Sequence, residues 1–590
     1  MQKINMRLDL LRGEMLKENI DYYIVLSDDF HSSEYVDDYF KVREFLSGFS
    51  GSAGTLLISL RDARLWTDGR YFLQAADQLR DSEIILMKQG EPGVPELEDY
   101  LKANVLFGQT VAYDGRTVSS AFSKKLSSAL GGKDISFKSG LDLAGRIWTD
   151  RSPFPAGKIT LLSERYSGKS VADKLTELRA SYRAKGCKAV LISSLDDIAW
   201  LYNYRGSDVL YTPVAMAYTV VNDNEAIIYI AEEALSPEIR EALSPLGISF
   251  KPYFDIYDDV KLLEGPVMVD DASVNETLVA SLSQPVTCEN PTSLAKAVKN
   301  EIEIENFRRT HIIDGIALTK TIFWLKKLSE SGSIHAETEK SVEAHLTELR
   351  SAQDGFISLS FDSIVATGEH GAIVHYEPTD ESNRNIEDGF LLIDTGGHYL
   401  TGTTDVTRTV SIGEISDEMK ASYTAVLRGN LALGAARFPD GTLGTSLDVL
   451  ARKALWDMGF DYNHGTGHGV GYILSVHEGP NSIRKLTPKA KVGVPLVPGM
   501  ITSNEPGLYI TGKYGIRIEN LILTVEDKPG FNAFETLTLA PYDRASILPE
   551  MLTEDELSSL NSYNRRLYEV LAPYLTDEER NWLEGETAAF

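Results

Sequence analysis

The feature that most limits what this chain can fold into is a pattern that occurs twice. The run LRGEMLKENIDYYIVLSDD, Leu11 to Asp29, and the run LRASYRAKGCKAVLISSLDD, Leu178 to Asp197, each read as an amphipathic helix, an apolar strand and an acidic turn. Further on, FLSGFSGSAG (Phe45 to Gly54) has its counterpart in WLYNYRGSD (Trp200 to Asp208), each with an aromatic-leucine pair leading to Gly-Ser. A likeness this long, without the short period of a solenoid, implies two α/β domains of one ancestry.

The rest of the chain divides around them. Thr55 to Ser59 reads as a strand, and Tyr71 to Leu79 as a helix after the Asp68-Gly69 turn. The stretch TDRSPFPAGK, Thr149 to Lys158, carries two prolines and a glycine and marks a boundary, and a second boundary lies near Asn290 to Asn300. From Glu301 the apolar residues keep helical spacing over about seven turns. Segments 1–155, 156–298 and 299–590 are therefore expected to be separate domains, the last closing in a docked helical tail from Thr553. At 590 residues the chain is too long for one core, and 43% hydrophobic with 24% charged residues is the balance of a globular protein.

Charge and cysteine content narrow the function. With 86 acidic against 58 basic residues the formal charge is -28, which repels phosphate backbones and argues against nucleic acid as a partner. Metal cations and amine-bearing ligands are easier to accommodate. No apolar run reaches the roughly 18 residues of a membrane span, and the first residues lack a signal-peptide core. Cys187 and Cys288 are the two cysteines, read as buried free thiols in a reducing cytoplasm. A cytoplasmic protein with no membrane association is expected.

Chemistry is concentrated late in the chain. Nine of ten histidines lie beyond Glu301, and His464, His468 and His477 crowd one glycine-rich stretch, HGTGHGVGYILSVH. That stretch lacks the Gly-Lys-Ser/Thr ending of a phosphate loop and any Rossmann fingerprint, so close backbone approach to a crowded site is the better reason for its glycines. In GFLLIDTGGHYLTGTTDVTRTV, Phe390 to Asp394 and Asp405 to Val410 read as antiparallel neighbours around a Gly-Gly turn, which can bring Asp394 and Asp405 together. An aspartate ending an apolar strand is costly to bury without a cation or several donors. Glu505 lies in ITSNEPGLY, and alternation in GIRIENLILTV puts Arg517 and Glu519 on one face with Ile516, Ile518 and Ile522 on the other.

Four carboxylates (Asp394, Asp405, Glu505, Glu519) and the imidazole of His468 make a set too rich in oxygen for structural zinc. Carboxylates of this kind can bridge two divalent cations at about 3.5–4 Å. Manganese suits them best, with cobalt, iron or zinc as possible replacements.

The ordered motifs LLIDTGG, TDVTRT, HGTGHGVG, SNEPG and GIRIEN resemble those of the pita-bread metallopeptidases. The resemblance extends to the three-domain aminopeptidase P group through REFLSGFSGSAG, LWTDGRYFLQA, DDIAWLYNYRGSD, SFDSIVATGEHGAIVHY and ETLTLAPYDRASI. It implies an α/β (α+β) architecture: two creatinase-like amino-terminal domains, then a pita-bread catalytic domain with a helical extension from about residue 536. By the same resemblance Asp394 and Asp405 bind one metal, while Asp405, His468, Glu505 and Glu519 hold the other.

Three further histidines of the motif set match His375, His464 and His477, none of them a ligand; His464 and His477 line the pocket and stabilise charge on the scissile carbonyl. Arg517 tunes the electrostatics, and Glu505 doubles as proton carrier. The remaining histidines, His31, His311, His335, His345 and His398, are structural or exposed, and His370 is left unassigned. The implied reaction is removal of the first residue from peptides with proline in second place, a metal-shared hydroxide attacking the carbonyl, by a homodimer. A prolidase restricted to Xaa-Pro dipeptides, a creatinase-like hydrolase without metal ligands and a non-catalytic peptide-binding relative are the rival readings.

Overall fold

The computed structural model describes residues 2–486 and 493–590. The chain forms two compact units, one of residues 1–164 and 169–292, the other of 165–168 and 293–590.

The first unit contains two sheets of identical strand order. One runs Ile84–Lys88, Ala63–Thr67, Thr55–Ser59, Tyr22–Val25, Thr110–Ala112, Ser136–Lys138, and the other Ile248–Lys251, Ala226–Ile230, Ala217–Asn222, Ala189–Ile192, Val267–Val269, Pro285–Thr287. In each, the strand that follows the first helix of the repeat, Tyr22–Val25 or Ala189–Ile192, lies inside the sheet between an antiparallel and a parallel neighbour. Helices Gln2–Lys17 and Val171–Ala184 precede these strands as the repeat predicts. Strand Thr55–Ser59 has the expected bounds and the following helix is Phe72–Gln78, one residue shorter at each end than expected. Leu8, Leu11 and Met15 on one face of the first helix pack against Tyr23, Leu56 and Ile58, each such burial being worth about 1.5–3 kcal/mol. Cys187 is buried, Cys288 half-buried, and neither is in a disulfide.

The second unit opens with helix Glu301–Ser331, started by Asn300, whose side chain accepts from Ile302 and Glu303 in a reciprocal capping box, and ended by Gly332 at φ 71°. Helix Glu339–Ser351 follows. Ala317, Leu318, Ile322 and Leu325 from the first helix and Val342 and Leu346 from the second form one core with Leu391, Ile393, Val406 and Val410. Those last four residues belong to Gly389–Thr395 and Val406–Ile412, which with Ile364–Thr367 make a three-stranded antiparallel sheet. The chain between them is more than a Gly-Gly turn, for Gly397–Tyr399 and Gly402–Thr403 pair with each other in a separate sheet.

A six-stranded sheet runs Arg437–Pro439, Phe531–Thr536, Asn520–Lys528, Ile501–Asn504, Gly467–Gly469, Glu478–Ile483. Helices Asp417–Gly434 and Gly444–Asp457 pack on each other, and the tail forms helix Glu554–Leu571 capped by Thr553. Among the described residues no helix is long and apolar enough to cross a membrane.

Candidate metal centre

Two of the proposed donors ride on the hairpin. Asp394 pairs with Thr407 and Thr395 with Val406, so Asp405 stands immediately before the second strand. Glu519 lies in a break between strands Tyr514–Arg517 and Asn520–Lys528, its N–H donating to the Thr407 carbonyl at 3.1 Å. Ile516 and Ile518 enter one core cluster and Ile522 another, so the alternation read from the sequence holds over Ile516 to Glu519, while Ile522, beyond the break between the strands, packs elsewhere. Carboxylate oxygens of Asp394, Asp405 and Glu519 lie within 4.8 Å of one another, and the same limit joins His468, Glu505 and Glu519. Glu519 belongs to both groups, which makes one continuous cluster of five side chains. His477 forms a third group with Asp405 and His468, its ring 4.4 Å from that of His468 and nearly perpendicular to it.

His468 sits on Gly467–Gly469 and Glu505 directly after Ile501–Asn504, two strands of the same sheet. A side chain at Gly467 would put its first carbon 1.9 Å from the Ser503 carbonyl oxygen. The glycine there is demanded by the approach of a neighbouring strand, the close backbone approach expected from the sequence, with Ser503 as the residue that comes close.

A hydrogen-bond chain fixes the rim. Arg517 donates from Nε and Nη2 to Asp394 Oδ2 at 3.0 and 2.5 Å, and from Nη1 to the Tyr509 hydroxyl at 2.6 Å. That hydroxyl lies 2.9 Å from His464 Nε2, while His464 Nδ1 is 2.7 Å from the Gly465 carbonyl. A carbonyl only accepts, so Nδ1 carries the proton, Nε2 accepts from Tyr509, and the chain runs Arg517 to Tyr509 to His464. On the other side Thr407 donates to Glu519 Oε2 at 2.9 Å. His375 follows the turn Gly368–Ala372, which packs against the strand bearing Arg517; its nitrogens are in none of the three donor groups found among the described residues.

Comparison with known proteins identifies the family of the chain. Metallopeptidase family M24 matches residues 305–526, the C-terminal region of peptidase M24 matches 530–590, and the Creatinase/Prolidase N-terminal domain matches twice, at 7–145 and 150–303. A "Probable Xaa-Pro aminopeptidase P" from Neurospora crassa is 40% identical, with 99% of this chain and 89% of that protein covered. The chain belongs to metallopeptidase family M24. Within the family, "Aminopeptidase P1" of Arabidopsis thaliana is 36% identical over 98% of both chains. The crystal structure of an X-prolyl aminopeptidase from Caenorhabditis elegans, described as "a cytosolic enzyme with a di-nuclear active site", superposes over 100% of both chains with a TM-score of 0.95 at 33% identity. The architecture is thus two creatinase-type amino-terminal domains, a pita-bread domain and its carboxy-terminal region.

The donor set of this M24 chain fits cations. Asp394 Oδ1 and Glu519 Oε1 are buried without a hydrogen-bond partner, a cost that a bound cation would relieve. His468 Nδ1 is 3.0 Å from the Gly469 carbonyl and so carries the proton, leaving Nε2 to face Asp405 at 3.4 Å and Glu505 at 3.7 Å. That is the tautomer a metal ligand needs. Without cations, burial raises the proton affinity of Asp394, and repulsion from Asp405 adds to it against the pull of Arg517. Burial, with Asp405, Glu505 and Asp394 nearby, lifts Glu519 well above the ordinary range, and burial lifts Glu505 to about 7 although His468 and Arg517 oppose it. Burial works against charge on His468, but the bond to Asp405 and the charge of Glu505 prevail and raise it to about 9. Four carboxylates this close cannot all be ionised unless positive charge joins them.

Tyr509 and Thr407 were not singled out from the sequence. Alternation does put Thr407 on the same face as Asp405. For Tyr509 the available signal is the ribbon in which Gly507 pairs with Arg517 and Tyr509 with Gly515, which sets Tyr509 and Arg517 on one face.

Proposed function

We propose that the chain is a dinuclear-metal aminopeptidase that releases the first residue of peptides with proline in second position. The observation that carries this reading is the convergence of five donors with two orphaned carboxylate oxygens, in a chain similar along its length to proteins named for that activity. Asp394, Asp405, His468, Glu505 and Glu519 would hold two divalent cations, manganese best matching so oxygen-rich a set, with cobalt, zinc or iron as substitutes. Cations bound there would polarise the scissile carbonyl and make water nucleophilic at neutral pH.

The chain's own residues supply the rest. Glu505 takes a proton from the attacking water and passes it to the proline nitrogen, so that the carbon–nitrogen bond breaks to give a carboxylate and a free secondary amine. Proline's amide nitrogen carries no hydrogen, and an acid placed at that atom is what lets it leave. Arg517 fixes Asp394, and His464, with both ring nitrogens engaged, braces Tyr509 and the pocket wall. His477, beside His468, and His375 orient the peptide carbonyl. We also propose a homodimer in the cytoplasm, in keeping with the relative described as cytosolic and the two reduced cysteines.

Metal-depleted protein reloaded with Mn²⁺ and offered Arg-Pro-Pro, Arg-Pro and Arg-Ala-Ala tests this. Arginine release from the first, dependent on metal and at least about tenfold faster than from the third, is expected, since a pocket built around one ring separates substrates by 1–3 kcal/mol. Cleavage of the dipeptide alone would make the chain a prolidase. No turnover of any peptide with cations bound would make it a binding protein.

A further inference from the structure

Behind the hairpin, on the face opposite Asp394, lies a second cluster of buried charge. Helix Glu339–Ser351 carries Arg350 and helix Glu301–Ser331 carries Asp314. Arg350 donates from Nε to Asp314 Oδ1 at 2.8 Å and from Nη2 to Asp314 Oδ2 at 3.0 Å. The Tyr399 hydroxyl donates to the same Oδ1 at 2.7 Å, and Arg350 Nη1 donates to Thr395 Oγ1. Ser363 Oγ stands 2.8 Å from that Thr395 oxygen. Arg350, Tyr399 and Thr395 are 0% exposed.

We propose that Arg350 is a positioning residue for the Asp394–Asp405 pair, setting from behind the spacing at which that pair can accept cations. The inference rests on the metallopeptidase reading above. Thr395 directly follows Asp394, and side chains alternate along a strand, so a bond to Thr395 steers Asp394 without touching it. Tyr399 fixes the next strand of the connection, Gly397–Tyr399. Thr404 and Val406, the two neighbours of Asp405, line a small cavity together with Asp314 and His311, which puts Asp314 at the back of the second acid as well. The connection closes tightly at Gly396, where a side-chain carbon would come within 2.1 Å of the Thr404 carbonyl oxygen.

Stability alone is a weak reason for such a network. A buried ion pair can often be replaced by apolar side chains of similar volume without loss. Metal ligation is less forgiving, because donors must be held to within about 0.5 Å. Arg350 has the rigid planar fork that can grip a carboxylate on two sides and still reach a hydroxyl with its remaining nitrogen. Burial disfavours its charge, and Asp314, helped by Tyr399 and to a smaller degree by Asp405, more than compensates, so the cation stays in place behind both acids.

The test is Mn²⁺ binding to metal-depleted full-length protein by calorimetry, with thermal unfolding of the same samples. Arg350→Met should weaken at least one of the two cations by about 10- to 100-fold, the usual cost of losing a group that orients a ligand. Arg350→Lys, which keeps the charge and loses the fork, should fall between it and the wild type. Leu346→Ala, on the same helix and in the same core but outside the network, should lower the unfolding temperature with binding within about twofold of wild type. If Arg350→Met does not fold, Arg350→Met/Asp314→Leu removes both charges, and its expected loss of affinity is the same. Unchanged binding in the Arg350 variants, or equal weakening by Leu346→Ala, overturns the proposal. Wild-type protein that binds no cation at all would instead overturn the reading on which it rests.

Discussion

His31 in the first unit and His468 in the second are braced alike and behave oppositely. Each donates Nδ1–H to a backbone carbonyl, that of Ser193 at 2.8 Å and that of Gly469 at 3.0 Å. The other nitrogen of His31 meets the Tyr253 hydroxyl at 2.7 Å, whereas that of His468 faces two carboxylates. Burial lowers the proton affinity of His31, with Asp29 opposing, while His468 is raised to about 9. An imidazole closed off by a neutral hydroxyl is a strut; one aimed at a pair of buried acids is placed to share a cation with them. The difference lies in what the second nitrogen sees.

His468→Ala should cost at least about 10³-fold in kcat/KM, the scale of losing a member of a catalytic unit, while His31→Ala leaves kcat/KM within about twofold of wild type in a peptide-release assay. Equal losses in both would show that the two environments do not separate structural from catalytic histidine.

Next in size is Tyr509→Phe, which cuts the chain from Arg517 to His464. Activity should fall by about 10- to 100-fold with circular dichroism unchanged; full activity would show that Asp394 needs no support from its rim.

The smallest effect sharpens the first unit's side. His31→Ala should destabilise that unit by about 1–3 kcal/mol, having stranded two buried hydrogen-bond partners. Because folding lowers the proton affinity of His31, the unfolded chain takes up its proton first. Stability contributed by the neutral ring is therefore complete above about pH 6.5, the unperturbed histidine value, and drains away as the pH drops below it. Urea unfolding at pH 7.5 and pH 5 should show this dependence in wild type and a shallower one in His31→Gln.

Much of this was legible in the sequence, and for a definite reason. Helical and strand periods report which face of an element is apolar, so the twin sheets, the long helix from Glu301, the strand bearing Asp394 and the strand that starts just after Asp405 could be read from local pattern. Asp394 stands out as an acid ending an apolar strand, His468 as one of three histidines crowded among glycines and Glu519 by its alternation with isoleucines, while the set of five as ligands comes from the motif resemblance. Tyr509 and Arg350 left no such trace. A tyrosine in GLYI and an arginine in a helix are ordinary residues, and their partners lie elsewhere in the chain: Arg350 joins Asp314 and Thr395, 36 and 45 positions away. Which faces of distant elements meet is a property of packing, and a one-dimensional pattern does not record it. The glycines of the histidine stretch mark close backbone approach, as their crowding predicts, and at Gly467 and Gly469 the atoms that come close are the carbonyl oxygens of Ser503 and Glu478.

The register that sets Asp394 opposite Thr407 makes this site sensitive to parity. Since every second side chain faces the same way, a single residue inserted between Asp405 and the paired Val406 would turn Asp405 toward the apolar core unless the extra residue bulged out. Insertion of a pair would keep its direction and only shift it along the strand. A change in length within the connection between the two strands, by contrast, leaves that register and the facing of both acids as they are.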